Sequence, residues 1–129
     1  MTKILLVEDT PSLAMEIMDI LRMESYDVAL ATNGRDAMEQ LCRRPAGMVI
    51  SDLFMPEMDG FQLISSIRNH PSLKETPIII LSARTTSDTI EKVMALGSDL
   101  FIQKPCDSQY LVASINKILK EKQQVFTDD

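Results

Sequence analysis

The chain has 129 residues, 45% of them hydrophobic but only 5% aromatic and without Trp, which suits one domain with a core of Leu, Ile, Val, Met and Ala. A formal net charge of −6 speaks against nucleic-acid binding by this domain, because a phosphate backbone is held by clustered Lys and Arg. Cys42 and Cys106 form no C-x-x-C arrangement and are read as reduced and structural, and the nine Met residues as adaptable core filler.

The opening M-T-K-I-L-L-V-E-D has an apolar run too short for a membrane span or a signal peptide, so a cytoplasmic protein is expected. Ile4–Val7 reads as a buried strand that ends at Glu8 and Asp9. Thr10 before Pro11 predicts a helix start, with Leu13, Ile17 and Leu21 on one face. Val28–Ala31 is the second apolar run and Met48–Ile50 the third. The third ends at Asp52, within M-V-I-S-D-L-F-M-P-E-M-D-G, where a carboxylate between apolar residues costs stability unless something pairs with it. Met55, Pro56 and Gly60 shape the turn that follows, and Asp59 with Gln62 predicts a capping box. His70, before Pro71, is read as a surface loop residue. Ile78–Leu81 is the fourth strand, with Ser82 after it. Asp88 with Glu91 predicts another capping box, on a helix that Gly97 ends. Leu100–Ile102 leads to Lys104 and Pro105, and Leu111, Ile115 and Leu119 mark the last helix. From about residue 120 the run K-E-K-Q-Q-V-F-T-D-D reads as a fraying end or the start of a connection, giving a domain over 1–121 and a tail over 122–129.

Strands and helices in strict alternation imply a parallel sheet with helices on both faces, the doubly wound α/β class. In such sheets ligands bind beyond the carboxyl ends of the strands, where the strand order reverses. If the order is 2-1-3-4-5, Glu8, Asp9 and Asp52 share one pocket, with Ser82 and Lys104 at neighbouring strand ends. Two unit charges about 4 Å apart repel by roughly 4 kcal/mol at an effective dielectric near 20. Such a cluster either holds protons or binds a cation, and oxygen ligands without His favour Mg²⁺, or Mn²⁺, over zinc. A lysine ammonium and a hydroxyl beside that cation can stabilise a transferring phosphoryl group, with a carboxylate as the nucleophile.

The runs L-L-V-E-D, S-D-L-F-M-P-E-M-D-G, I-I-L-S-A and A-L-G-S-D-L-F-I-Q-K-P, in this order, resemble the receiver domain of two-component response regulators over residues 3 to about 121. The resemblance implies a flavodoxin-like, five-stranded sheet with five helices, in a signalling protein whose only chemistry is self-phosphorylation and autodephosphorylation. It implies that Asp52 accepts a phosphoryl group from a histidine kinase or a histidine phosphotransfer protein. Asp9 would then bind Mg²⁺ directly, Glu8 mainly through water, and the backbone carbonyl of Phe54 would complete the set. Lys104, joined to Pro105 by a cis bond, would contact the acyl phosphate, while Ser82 and Phe101 would act as the switch. The surface of the fourth helix, fifth strand and fifth helix would control a partner or fused effector domain, and commonly dimerises. Phe54 and Arg84 hold positions that tune the phosphoryl lifetime in this family, and Cys106 stands where a larger apolar residue is usual. Glu8-Asp9 replaces the two aspartates of many relatives and lengthens one arm.

Two other classes use similar parts. A Mg²⁺-dependent phosphohydrolase with an aspartyl nucleophile carries a D-x-D motif after its first strand, whereas here the acids are adjacent. A flavin-binding module needs a phosphate-cradling loop of Ser, Thr and Gly, and E-D-T-P-S would repel that phosphate.

Overall fold

The computed structural model describes residues 2–83 and 86–127, with side chains as far as residue 122. In chain order the elements are β1 (Lys3–Val7), α1 (Pro11–Met23), β2 (Asp27–Ala31), α2 (Gly34–Arg43), β3 (Met48–Ser51), α3 (Gly60–Arg68), β4 (Ile78–Ser82), α4 (Ser87–Leu96), β5 (Leu100–Gln103) and α5 (Ser108–Thr127). Every strand pairing is parallel, as the alternation implied, and the sheet order is β2-β1-β3-β4-β5, the order on which a shared acidic pocket depended.

Placement in the sheet follows from composition. The runs with almost no polar interruption, β1, β3 and β4, occupy the interior and are buried nearly throughout, whereas β2 and β5 lie at the edges with part-exposed residues. The period-two alternation of each strand then divides the core into two layers. Ile4, Leu6, Ile50 and Ile79 pack with Ala14, Ile17 and Leu21 of α1 and Leu111, Ile115 and Ile118 of α5. Leu5, Val7, Val49 and Ile80 pack with α2, α3 and Val93 of α4. Removing each such aliphatic side chain from water is worth about 1.5–3 kcal/mol. The helical stripes drift as a 3.6-residue period requires: Leu13 and Leu119 are only part-buried, and Ala14 and Ile118 complete the faces instead.

The helix ends agree with the sequence in part. Asp59 and Gln62 form the reciprocal capping box of α3. Thr10 caps α1 with Pro11 first in the helix, but the Thr10 side chain makes no cap bond. The expected Asp88–Glu91 box is corrected: the cap of α4 is Thr86, whose Oγ1 accepts from the Thr89 N–H at 3.2 Å, and Asp88 lies in the first turn, where negative charge is favoured by the helix dipole. Gly97 does end α4, at φ 117°, a left-handed conformation open to glycine at little cost. Helix α5 continues to Thr127, past the expected boundary at residue 121, because K-E-K-Q-Q consists of helix formers with no Gly or Pro to stop it.

The reading of the Met residues as core filler needs correction. Met48 is fully buried, but Met15, Met23 and Met94 are 65%, 83% and 42% exposed, on helix positions beside the apolar stripes. Cys42 is exposed in the last turn of α2, its Sγ lying 3.8 Å from Nε2 of the half-buried His70. Cys106 does pack against the α1–α5 layer.

At the amino ends of β4 and β5, Arg68 acts as a tether. Its Nε donates to the Gly97 carbonyl at 2.9 Å, Nη1 to the carbonyls of Thr76 at 2.6 Å and Lys74 at 2.9 Å, and Nη2 to Asp99 at 3.0 Å. Asp99 in turn accepts the Ile78 N–H at 2.8 Å.

Candidate functional site

Backbone ladders extended one residue past the strands place the site. The Glu8 N–H donates to Ala31 O at 2.9 Å, the Asp52 N–H to Val7 O at 3.0 Å, and the Lys104 N–H to Ser82 O at 2.9 Å. Each functional residue is thus the first beyond its strand and is held by the neighbouring strand's backbone. Asp52 is fixed further, because its Oδ1 accepts the Leu53 N–H at 2.7 Å and its carbonyl accepts the Ser51 hydroxyl at 2.7 Å. The start of α3 closes against this turn through Gly60, whose N–H donates to Leu53 O at 2.8 Å. A Cβ at position 60 would stand 2.8 Å from both Asp52 O and Leu53 Cα, so only glycine fits without moving Asp52.

Glu8, Asp9 and Asp52 each offer a carboxylate oxygen within 4.8 Å of the others. Glu8 is 3% exposed, Asp52 half-buried and Asp9 exposed, so the cluster opens to solvent on the Asp9 side. Lys104 supplies the compensating charge: its Nζ lies 2.8 Å from Glu8 Oε1 and 3.4 Å from Asp52 Oδ2. Glu8 Oε2 also accepts the Thr10 N–H at 3.1 Å. A buried carboxylate is tolerable here because both of its oxygens are satisfied. The all-oxygen donor set and its span fit a hard divalent ion coordinated at about 2.1–2.5 Å, with water completing the shell.

The remaining expected residues lie around this centre. Ser82 is 1% exposed at the end of β4, and the Lys104–Pro105 peptide is cis. Phe101 on β5 is half-buried and packs against the α2–α3 layer. Phe54 is 39% exposed, and Arg84 lies outside the described residues. Cys106 lines an apolar cavity of about 300 Å³ between α1 and α5, together with Leu13, Ile17, Leu81, Lys104 and Leu111. Burial, and then Asp107, push its thiol pKa up. Sequence reasoning did not find the contacts that orient the carboxylates, Thr10 N–H on Glu8 and Leu53 N–H on Asp52, because backbone donors leave no residue-type signal. Nor did it find Phe61 and Lys92: the Phe54 and Phe61 rings meet edge to face with centroids 6.0 Å apart, and Lys92 Nζ stands 4.3 Å from the Phe61 centroid.

The chain is similar to known proteins in sequence and in fold. The response regulator receiver domain family matches residues 4–116. Response regulator ArlR of Staphylococcus saprophyticus is 37% identical over 126 residues, covering 96% of this chain and 55% of the relative. Sensory transduction protein BceR of Halalkalibacterium halodurans is 39% identical over 120 residues, covering 93% of this chain and 51% of the relative. The chain therefore spans about half the length of these relatives. Among solved structures, the signal receiver domain of a signal transduction histidine kinase from Syntrophus aciditrophicus superposes with a TM-score of 0.88 at 32% identity, over 94% of this chain and 92% of that one. The chemotaxis response regulator CheY4 of Vibrio cholerae does so with a TM-score of 0.86 at 28% identity, over 92% and 98%. Among the described residues, no helix is long and apolar enough to cross a membrane. Sequence, sheet order and the acidic cluster at the carboxyl ends of β1 and β3 agree: the chain belongs to the response regulator receiver domain family.

Proposed function

We propose that this domain is a phosphorylation-controlled receiver in which Asp52 accepts a phosphoryl group from a phosphohistidine of a histidine kinase or histidine phosphotransfer protein. The observation that carries this reading is the convergence of Glu8, Asp9 and Asp52 within 4.8 Å, with Lys104 bridging Glu8 and Asp52. Asp52 Oδ2, the oxygen facing Lys104, is the nucleophile; Oδ1 stays bound to the Leu53 N–H and holds the carboxylate in place. Attack forms the O–P bond as the P–N bond to the donor histidine breaks, and the electron pair leaves on the imidazole. Asp9, Asp52 and the backbone carbonyl of Phe54 would hold Mg²⁺, or Mn²⁺, directly, with Glu8 acting through water. When bound, that ion neutralises charge on the phosphoryl oxygens.

The Lys104 ammonium shifts from Glu8 towards the phosphoryl group, and the Ser82 hydroxyl donates to another of its oxygens. Phe101 turns inward as Ser82 moves. The face made by α4, β5 and α5 then changes and controls a partner, a downstream domain or a second copy. The phosphoryl group acts by biasing two conformations, so the output is a population shift. The adjacent acids after β1 do not supply the D-x-D pattern of an aspartyl phosphohydrolase, and Glu8 is already committed to Lys104 and the Thr10 N–H.

The test is incubation with labelled acetyl phosphate, with Mg²⁺ or with EDTA, for the native protein and Asp52→Asn. Label is expected only in the native protein with Mg²⁺. Equal, hydroxylamine-labile label in Asp52→Asn refutes the assignment.

A further inference from the structure

We infer that Ser51 is a positioning residue for phosphoryl transfer: its hydroxyl fixes the peptide plane between Asp52 and Leu53, and that plane aims the Asp52 carboxylate. The inference rests on the function proposed above, with Asp52 Oδ2 as the nucleophile. Ser51 is the last residue of β3 and is fully buried. Strand alternation puts its side chain on the face of Val49, and its neighbours across the ladder, Val7 and Ile80, belong to the same apolar layer under α2 and α3. A hydroxyl buried there costs stability unless it is hydrogen-bonded, a cost that Ala would avoid. Its Oγ donates to the Asp52 carbonyl at 2.7 Å. The bond reaches only the next residue, so it joins no distant segments, and what it fixes is a local orientation.

The peptide it holds is bonded at both ends. Asp52 O accepts from Ser51, and the Leu53 N–H of the same planar unit donates to Asp52 Oδ1 at 2.7 Å. The two groups turn together about the Asp52 Cα–C bond. A turn that carries the carbonyl away from Ser51 therefore carries the N–H away from Oδ1, and the carboxylate loses the donor that selects its rotamer. With the plane held, Oδ1 is occupied and Oδ2 is directed towards Lys104, 3.4 Å away. The Asp52 N–H lies on the preceding peptide and is held by the sheet instead, at 3.0 Å from Val7 O.

In the transfer, a lone pair of Oδ2 forms the bond to phosphorus as the bond from phosphorus to the donor breaks, and the electron pair of that bond leaves with the donor. With acetyl phosphate the leaving group is acetate. The new bond forms in line with the one that breaks, so the rate depends on where the Oδ2 lone pairs point. A carboxylate released from the Leu53 N–H spends part of its time misdirected, and the rate falls by that fraction.

The experiment follows the rate of labelling by acetyl phosphate with Mg²⁺ in the native protein, Ser51→Ala, Ser51→Cys and Ser51→Thr. Ser51→Ala is expected to label about two- to tenfold more slowly, the range of one neutral hydrogen bond. Ser51→Cys, which fills the same space with a weak donor, is expected to behave like Ser51→Ala, and Ser51→Thr, which keeps the hydroxyl, to label at the native rate. Amide hydrogen exchange in the unphosphorylated protein supplies a readout that stability alone does not move. The Leu53 amide is expected to exchange faster by a similar factor in Ser51→Ala and Ser51→Cys, while the Asp52 amide keeps its native rate. Native labelling and native Leu53 exchange in both variants overturn the inference and leave the proposed function standing. Slow labelling that Ser51→Thr does not restore, with Leu53 and Asp52 exchange rising together, shows a structural role only and also overturns it. Failure of the native protein to take label at all overturns the function, and this inference with it.

Discussion

Lys104 has two carboxylates within reach and sits nearer to the buried one, Glu8, at 2.8 Å, than to Asp52, at 3.4 Å. The ammonium and a divalent cation therefore compete for the same oxygens. In Lys104→Met the uncompensated Glu8 is expected to lower stability by about 3 kcal/mol, since removal of one partner leaves a buried charge. The same change is expected to raise divalent-cation affinity about tenfold, the equivalent of one ion pair of about 1.4 kcal/mol. Thermal melts with and without Mg²⁺ check both: the variant should gain more from the ion than the native protein, and an equal gain contradicts the competition. Cys106 yields a prediction of a different kind. Burial and Asp107 hold its thiol pKa above the ordinary range, so alkylation by iodoacetamide should be slower than at the exposed Cys42, with a pH profile displaced upwards. A raised thiol pKa favours the folded state while the thiol is neutral. That contribution is complete below the unfolded thiol pKa and is lost as pH rises through the folded one. Tyr26, whose pKa is raised by burial and then by Glu24, acts in the same direction. Urea midpoints should therefore fall at alkaline pH, less so in Cys106→Ser.

Elements were legible where periodicity and capping chemistry speak in residue types. The uninterrupted Ile, Leu and Val of β1, β3 and β4 marked the interior of the sheet, and Asp59 with Gln62 marked the start of α3. The start of α4 was misplaced because Thr86 and Asp88 are both good caps with a partner three residues on, and only the backbone bond from Thr89 to Thr86 decides between them. The Arg68 tether was invisible for another reason: three of its acceptors are backbone carbonyls, which any residue supplies. Arg68→Ala removes the donor from those carbonyls and the charge partner from Asp99, which keeps the Ile78 N–H, and is expected to cost about 2–4 kcal/mol in urea denaturation. Arg68→Lys, with a point charge in place of a planar fork, should fall between. A loss under about 0.5 kcal/mol would show the tether to be ornamental.

For the whole molecule, the beat of five strands and five helices was enough to predict the doubly wound sheet, and the order β2-β1-β3-β4-β5 brings Glu8, Asp9, Asp52 and Lys104 to one end. That much follows from topology. The side-chain pairings do not: whether Lys104 faces Glu8 or Asp52, and whether Phe54 meets Phe61, depend on packing between residues separated in sequence. The central claim is that Asp52 forms an acyl phosphate. It is tested most directly by treating the native protein with acetyl phosphate and Mg²⁺, reducing with borohydride and mapping the product by peptide mass spectrometry. The expected result is homoserine at position 52, absent when EDTA replaces Mg²⁺. Reduction at another carboxylate, or labelling indifferent to the metal, would contradict the account.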